Sequence, residues 1–579
     1  MRARQTVQLY FQSFRRALVV RVSGIQKLGP RLTRRHFKYA ILVLVLLLFL
    51  FLLTRTPDPV PLSGPDSGLF YGLAKELDSK NSFVKIYPLL DPPQGRTITV
   101  TDQGLPLLAV LLWRGIRHVS PQVTLLAVCQ YFPLLIFVLL VFPIFLIGRQ
   151  LGGSIGGFLS VMLLCTLAGI REFGTLKMFD RQMPAVLLSA WTVYFALRMF
   201  SSESAKDSLL FGSLAALVYG LFGLIWPGWL YLIPAMIGGM IFALILDTMV
   251  SKKVYVSRYT CTSLGILLTV VGSTLLVLPF GAANWSGTIQ LIAEYMGFKE
   301  QRIEIGKSLG GSPPSWLEGI RFGLYQAVPP GAEQASPASL YATILTLLLI
   351  PLGMLCIFLT RKQQFPFVLA WFVVLLAMVW PGKGAQRFFN LWVPFVPPVM
   401  SAALAFPARR IPKAMTCILL VLILPLFYNA VVASPKVNLE RCKATAEGLY
   451  WLAENAPRGS VVAGDWEIGY YIAGFASCKT LSDPASWMSA KVETVSNNIP
   501  ARIGKEVGGE VYPLGDLIPL QPPPYGRCID SVLWVYLCEN ELKDLLRYYK
   551  ANGLPIDYLT FLGRYDPARE MSYVRRGHS

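Results

Sequence analysis

Runs of roughly 17–25 residues almost free of charge recur along this chain, and nothing else restricts its fold as much. In lipid, backbone N–H and C=O groups must find partners within the protein, so apolar runs of this length are read as spanning helices. They fall near 39–54, 122–148, 154–171, 183–200, 208–225, 228–248, 259–280, 338–359, 365–381, 388–406 and 414–433. The expected architecture is therefore a polytopic α-helical membrane protein with about 11–13 helices between residues 39 and 433. Boundaries shift by several residues and Trp226-Pro227-Gly228-Trp229 reads as a junction between two helices or a bend in one, so the count moves by up to about two without changing sidedness. Composition agrees: 54% of residues are hydrophobic and only 15% charged, where soluble domains carry about a quarter charged. Soluble, collagen-like, disordered and disulfide-scaffold classes are excluded.

Charge placement gives the sidedness. The formal net charge of +20 is concentrated where membrane insertion puts it, not in a nucleic-acid patch. Residues 1–38 carry Arg2, Arg4, Arg15, Arg16, Arg21, Lys27, Arg31, Arg34, Arg35 and Lys38 without an acidic residue. They read as a basic cytoplasmic segment ahead of a retained anchor, suited to anionic headgroups of membrane lipids. Counting from an inside N-terminus, the inner turns hold Arg149, Lys206, Lys252, Lys253, Arg258, Arg361, Lys362, Arg409, Arg410 and Lys413, in accord with the positive-inside rule. Parity then sends the loops 55–121 and 281–337, the short turn 172–182 and the tail 434–579 to the outer face. The plasma (inner) membrane is the expected location.

From Asn438 the tail mixes short β-like runs, Ser460 to Ala463 and Ser531 to Leu537, with helical stretches, Arg441 to Ala453 and Glu541 to Ala551. This is the pattern of a C-terminal extracytoplasmic α/β domain. Its cysteines, Cys442, Cys478, Cys528 and Cys538, admit three disulfide connectivities that spacing does not separate.

The three histidines, His36, His118 and His578, are far apart in sequence, which leaves little basis for a Ser-His-Asp triad or a His-rich zinc site. Attention turns to outer-face carboxylates. Asp66 starts an amphipathic stretch in the first loop, Asp180 sits at the mouth of a span in Lys-Met-Phe-Asp-Arg-Gln-Met-Pro, and Glu333 lies in Pro-Pro-Gly-Ala-Glu-Gln-Ala-Ser-Pro before another. Singly, each has an ordinary role as a helix cap or a solvated charge. Together they make a candidate site for a hard divalent cation, which needs carboxylate oxygens converging from separate segments.

The order of these segments resembles the catalytic subunit of the oligosaccharyltransferases, membrane glycosyltransferases of the C-type fold. The Asp66 loop, Asp180 before Met-Pro-Ala-Val-Leu-Leu, Gly220 to Trp229, and Ala332-Glu333-Gln334 match in sequence order. Gln386-Arg387-Phe388-Phe389, leading into Trp392-Val393-Pro394, and Gly464-Asp465-Trp466-Glu467-Ile468-Gly469-Tyr470-Tyr471-Ile472, with Thr480-Leu481-Ser482-Asp483 downstream, follow. The resemblance implies that Asp66 and Glu333 are catalytic carboxylates meeting the acceptor amide, and that Asp66, Asp180 and Glu333 hold Mn²⁺ or Mg²⁺. It further implies that Arg387 lies near the donor diphosphate, and that Trp466 and Glu467 contact the acceptor. The implied partners are a polyprenyl-diphosphate-linked glycan and a polypeptide acceptor, with no nucleic acid. Two departures stand out. Where the family often has Asp-x-Asp, this chain has Asp180-Arg181-Gln182, and where the family has Trp-Trp-Asp-Tyr-Gly it has Asp465-Trp466-Glu467-Ile468-Gly469. The altered acceptor motif leaves open a C-type enzyme with a lipid or polysaccharide acceptor. A lipid-linked sugar transporter, or a catalytically silent relative, is the alternative of another class.

Overall fold

The computed structural model describes residues 61–251, 256–278, 337–378, 389–408, 439–463 and 468–480, less a few single positions, with short pieces between 506 and 576. The basic segment and the spans expected at 39–54 and 414–433 lie outside the described residues, as do Glu333, Arg387, Trp466 and Glu467.

The chain is predominantly helical. Helix α1 covers Ser67–Lys80, α2 Gly104–Val119 and α3 Leu125–Leu164. They are followed by α4 (Ala168–Gly174), α5 (Gln182–Phe200), α6 (Ala205–Ile225), α7 (Leu232–Leu246) and α8 (Val256–Val277). Farther on come α9 (Pro337–Thr360), α10 (Phe365–Met378), the single turn Phe389–Trp392 and α11 (Val396–Ala408). Among the described residues, five helical segments are long and apolar enough to cross a membrane: Leu125–Leu164, Gln182–Phe200, Ala205–Ile225, Gly228–Met249 and Tyr259–Val277. Their outward faces carry large apolar side chains, such as Tyr131, Leu135 and Phe142 on α3 and Leu267, Val271 and Leu275 on α8. Spacing of three to seven residues puts each set on one side of its helix, the arrangement of a lipid-facing stripe.

Small residues let these helices approach closely. Helix α3 breaks at Gly153 (φ 69°, ψ −169°) into two limbs, a backbone conformation that glycine accommodates. A side chain at Gly148 would collide with Ser160, and one at Gly157 with the carbonyl of Phe145, so the limbs fold back on each other. The run expected as one span over 154–171 is interrupted at Cys165–Leu167. There Thr166 N–H bonds to Leu163 O and Leu167 N–H to Leu164 O, tightening the last turn before α4. At Trp226–Trp229 the chain bends sharply: Tyr219 donates its hydroxyl hydrogen to Trp229 O, and the two rings meet edge to face at 5.0 Å.

In the first loop β1 (Ile86–Tyr87) pairs antiparallel with β2 (Arg96–Thr97); on the tail, helix α12 (Leu439–Asn455) leads to β3 (Val461–Ala463), a short helix α13 (Gly469–Gly474) and β4 (Lys479–Thr480). Strands β3 and β4 pair in parallel across α13. On the other side of β3 lies the parallel strand Tyr558–Thr560, itself paired antiparallel with Val574–Arg576, completing a mixed four-stranded sheet. The thiol of Cys478 is free and buried. This part of the tail shares a core with the first loop. Leu69, Leu73 and Leu77 of α1, Tyr87, Leu90 and Ile98 of the loop, and Tyr470 and Ala473 of α13 form one buried cluster.

Candidate functional site

Asp66 stands at the N-cap of α1, where an aspartate ordinarily caps the helix with its side chain, yet it makes no side-chain capping hydrogen bond. The backbone around it is held from three directions. Ser63 N–H donates to Lys177 O at 2.8 Å, bridging the first loop directly to the segment that carries Asp180. Both sides of this bridge use left-handed backbone, Gly64 at φ 84° and Lys177 at φ 74°. Gln130 of α3 reinforces it, donating from its side chain to Pro61 O and accepting Lys177 N–H at its carbonyl, each at 2.8 Å. From the tail, the Tyr471 hydroxyl reaches Gly64 O at 2.5 Å and Leu62 O at 3.1 Å.

This seat depends on an unusually close helix contact. Gly68 and Gly72 of α1 lie on one face, and Gly474 of α13 meets them. A side chain at Gly474 would strike the Gly68 carbonyl oxygen, and one at Gly68 would lie 2.5 Å from the Tyr470 carbonyl. Polar ties flank the contact: Lys75 Nζ donates to Ser477 Oγ at 2.9 Å, and Arg458 pairs with buried Glu76 at 3.2 Å. Burial, with help from the neighbouring Arg458 charge, lowers the Lys75 ammonium to about 8.

Asp180 lies two residues before α5, with Arg181 at the N-cap between them. Its Oδ1 accepts Gln182 N–H at 2.8 Å, so part of its role is to satisfy a free amide at the helix start. Its surface is partly accessible, but protein atoms crowd it. Burial first, and then the negative charge of Asp66, raise its pKa to about 6, outweighing the amide hydrogen bond and the Arg181 charge. The two carboxylates are thus near enough to repel, which is the electrostatics of a pair that gains from a cation. Arg181 also has direct partners of its own. It pairs with Asp102 at 3.1 Å and lies over the Phe70 ring at 5.9 Å, joining α5 to the single helical turn Val100–Asp102 and to α1. Gln182, where the family often has a carboxylate, has a buried Oε1 with no hydrogen-bond partner among the described residues. An amide oxygen is an accepted ligand type for Mg²⁺-like cations. The residues present therefore fit a hard divalent cation. Among the described residues no three His, Cys, Asp or Glu converge; Glu333, the third expected carboxylate, lies outside them.

The structure thus associates Asp66 with Asp180. Sequence reasoning missed the Asp102–Arg181 pair and the Gly68–Gly474 contact, and it included Tyr471 in a motif of the tail without giving it a role. Asp102 carried no distinguishing local signal, but Gly68-Leu-Phe-Tyr-Gly72 is a small-xxx-small pattern and was legible as a close-packing face.

Asp180 gives a pH prediction. The folded chain binds its proton more tightly than the unfolded chain, whose carboxyl titrates near 3.8. Acidification from above 6 towards 4 therefore favours the cation-free fold through this group, while abolishing cation binding. Asp180→Asn is expected to raise the melting temperature of cation-free protein at pH 7.5, to lose that advantage at pH 4, and to remove stabilisation by Mn²⁺. Calorimetry with and without Mn²⁺ checks this, and an unchanged Mn²⁺ response would exclude Asp180 as a ligand.

Residues 84–302 match the family model of the N-terminal part of the oligosaccharyl transferase STT3. That region includes Asp180 and begins after Asp66. Among solved structures, the archaeal oligosaccharyltransferase AglB from Archaeoglobus fulgidus, in complex with an inhibitory peptide and a dolichol-phosphate, superposes with a TM-score of 0.61 at 16% identity, covering 92% of this chain and 70% of the other. The oligosaccharyltransferase of that organism in complex with Zn and sulfate gives 0.62 at 16% identity, covering 90% and 67%. The form tethered to an acceptor peptide containing the NVT sequon gives 0.60 at 15%, covering 91% and 69%. At these identities the structural likeness establishes a shared fold. No curated protein matches the sequence.

Proposed function

We propose that this chain is an integral-membrane glycosyltransferase of the oligosaccharyltransferase catalytic-subunit family, a reading supported by the family-model match over residues 84–302 and by the shared fold, and that it transfers a glycan from a polyprenyl-diphosphate carrier to an asparagine side chain of a polypeptide. The observation that carries this reading is the association of Asp66 and Asp180, two mutually repelling carboxylates on segments bridged by Ser63 and Lys177. Neighbours of the same fold, described with dolichol-phosphate and with an acceptor peptide, support the two partner classes.

In the reaction the asparagine nitrogen forms a bond to the anomeric carbon, the bond from that carbon to the diphosphate oxygen breaks, and an amide proton is lost. The amide is a poor nucleophile because its lone pair is delocalised. Asp66 and Glu333 accept its N–H hydrogens and so weaken that delocalisation. Arg387 binds the departing diphosphate, a planar cation suited to phosphate oxygens. Asp66, Asp180 and Glu333 would hold Mn²⁺ or Mg²⁺, with Gln182 Oε1 available as a further oxygen. When bound, the cation stabilises negative charge on the leaving group. Trp466 and Glu467 receive the acceptor, Glu467 accepting a sequon hydroxyl hydrogen in place of the family's aspartate.

The sidedness follows from the charge pattern: the N-terminus is cytoplasmic, and Asp66, Asp180 and the tail work on the outer side of the plasma membrane. The Ser63–Lys177 bridge supports this, since both segments must then share a side.

The test uses purified protein, a polyprenyl-diphosphate-linked sugar and an Asn-x-Thr peptide, with mass spectrometry of the product. Glycopeptide is expected with Mn²⁺ or Mg²⁺ and none after chelation. Donor consumption with unmodified peptide would reject the polypeptide acceptor. Transfer that survives thorough chelation would reject the cation.

A further inference from the structure

A second polar site lies at the far end of α5. A cavity of about 280 Å³ is lined by Leu146, Arg149, Gln150, Tyr194, Arg198 and Arg361. Three arginines from separate parts of the bundle, Arg149 of α3, Arg198 of α5 and Arg361 of the turn after α9, therefore face one space, and no carboxylate lines it. Asp180 precedes the first residue of α5, whereas Arg198 is near the last, about 24 Å along the axis, close to the thickness of a bilayer core. The cavity thus belongs to the membrane face opposite the Asp66 and Asp180 pair. The cavity is built, not incidental: Gln150 Nε2 donates to Ser201 Oγ at 3.1 Å, fastening α3 to the end of α5.

Arginines near helix ends ordinarily bond the last carbonyls or pair with acids. Among the described residues, the guanidinium groups of Arg149 and Arg361 have neither kind of partner, and Arg198 lies over the Phe211 ring at 4.9 Å. The Nε of Arg198 is buried without a hydrogen-bond partner among the described residues. A buried guanidinium N–H left without an acceptor is costly unless a ligand supplies one. Three planar cations, a phenol and an amide together match a tetrahedral phosphate, which arginine binds through paired N–H groups. The volume is near the lower bound of small-ligand clefts, about 300 Å³, enough for a headgroup.

We propose that this pocket binds a phosphate-bearing anion, supplied by the headgroup of an anionic phospholipid in the leaflet opposite the carboxylate pair. The site would tie the enzyme's stability to lipid composition on a face where no chemistry is proposed.

The test is native mass spectrometry of the full chain released from detergent, with phosphatidylglycerol, phosphatidylcholine or inorganic phosphate added. Phosphatidylglycerol is expected to bind in preference to phosphatidylcholine, and each arginine removed is expected to weaken it about fivefold, the worth of one basic residue near an anionic surface. Arg149→Gln, at an exposed position, reads the single step. The triple change Arg149→Gln, Arg198→Gln, Arg361→Gln reads about a hundredfold, and Lys206→Gln, exposed and outside the cavity, leaves affinity unchanged. Should the triple variant not fold, Arg149→Gln and Arg361→Gln singly carry the test. Inorganic phosphate that binds the wild type but not the variants, with no lipid preference, would support the site with free phosphate as its ligand. Equal affinity of wild type and folded variants for phosphatidylglycerol and phosphate would overturn it.

Discussion

Asp66→Ala is expected to lower glycan transfer by a hundredfold to a thousandfold or more while leaving peptide affinity within a few fold. In the proposed reaction the side chain acts on the amide and on the cation as charge develops, so its loss would fall on the transition state and not on ground-state binding. Removal of a single preorganised electrostatic group of this kind typically costs about two to three decades in turnover. The fold should survive, because Asp66 makes no capping hydrogen bond to lose and the loop is held by backbone contacts from Ser63, Gly64 and Tyr471. Single-turnover transfer with a lipid-linked donor, beside peptide binding by fluorescence anisotropy, separates the two effects. Turnover within tenfold of wild type would return Asp66 to a structural role.

Gly474→Ala is expected to release the tail from α1. The added methyl would meet the carbonyl oxygen of Gly68, a backbone atom that no rotamer change can move aside. Overpacking typically costs about 1–3 kcal/mol, and with backbone on both sides the cost belongs at the upper end. The tyrosine that seats the Asp66 loop, Tyr471, is on the displaced helix, so transfer should fall together with docking. Limited proteolysis between 439 and 480 should accelerate, and the melting temperature should drop. Gly459→Ala is the control: it sits at φ 84° with open space around it, so it bears backbone strain of about 1 kcal/mol without a collision. If Gly474→Ala behaved like Gly459→Ala, close packing would not be what holds the tail.

The membrane helices could be read from the sequence because hydropathy is a local property judged by one solvent. Each run from Gln182 to Phe200 or Ala205 to Ile225 is long and apolar on its own account, whatever it packs against. Asp66 and Asp180 were visible too, through their positions beside apolar runs and the order of motifs around them. Their association was not, since nothing near residue 66 specifies that the chain returns at 177. The same holds for Arg181. In sequence it looks like an intruder beside a metal ligand, but in the fold Asp102, 79 residues away, takes up its charge. The tail reads as a separate α/β unit, yet α13 shares a buried core with the first loop. Local hydropathy and charge thus suffice for the helical membrane class, the sidedness pattern and the candidate carboxylates. Which of these residues meet depends on the folded chain, because side-chain partnerships across tens or hundreds of residues are set by close approach of backbones, here through Gly68, Gly72 and Gly474, and not by any local pattern of charge or hydropathy.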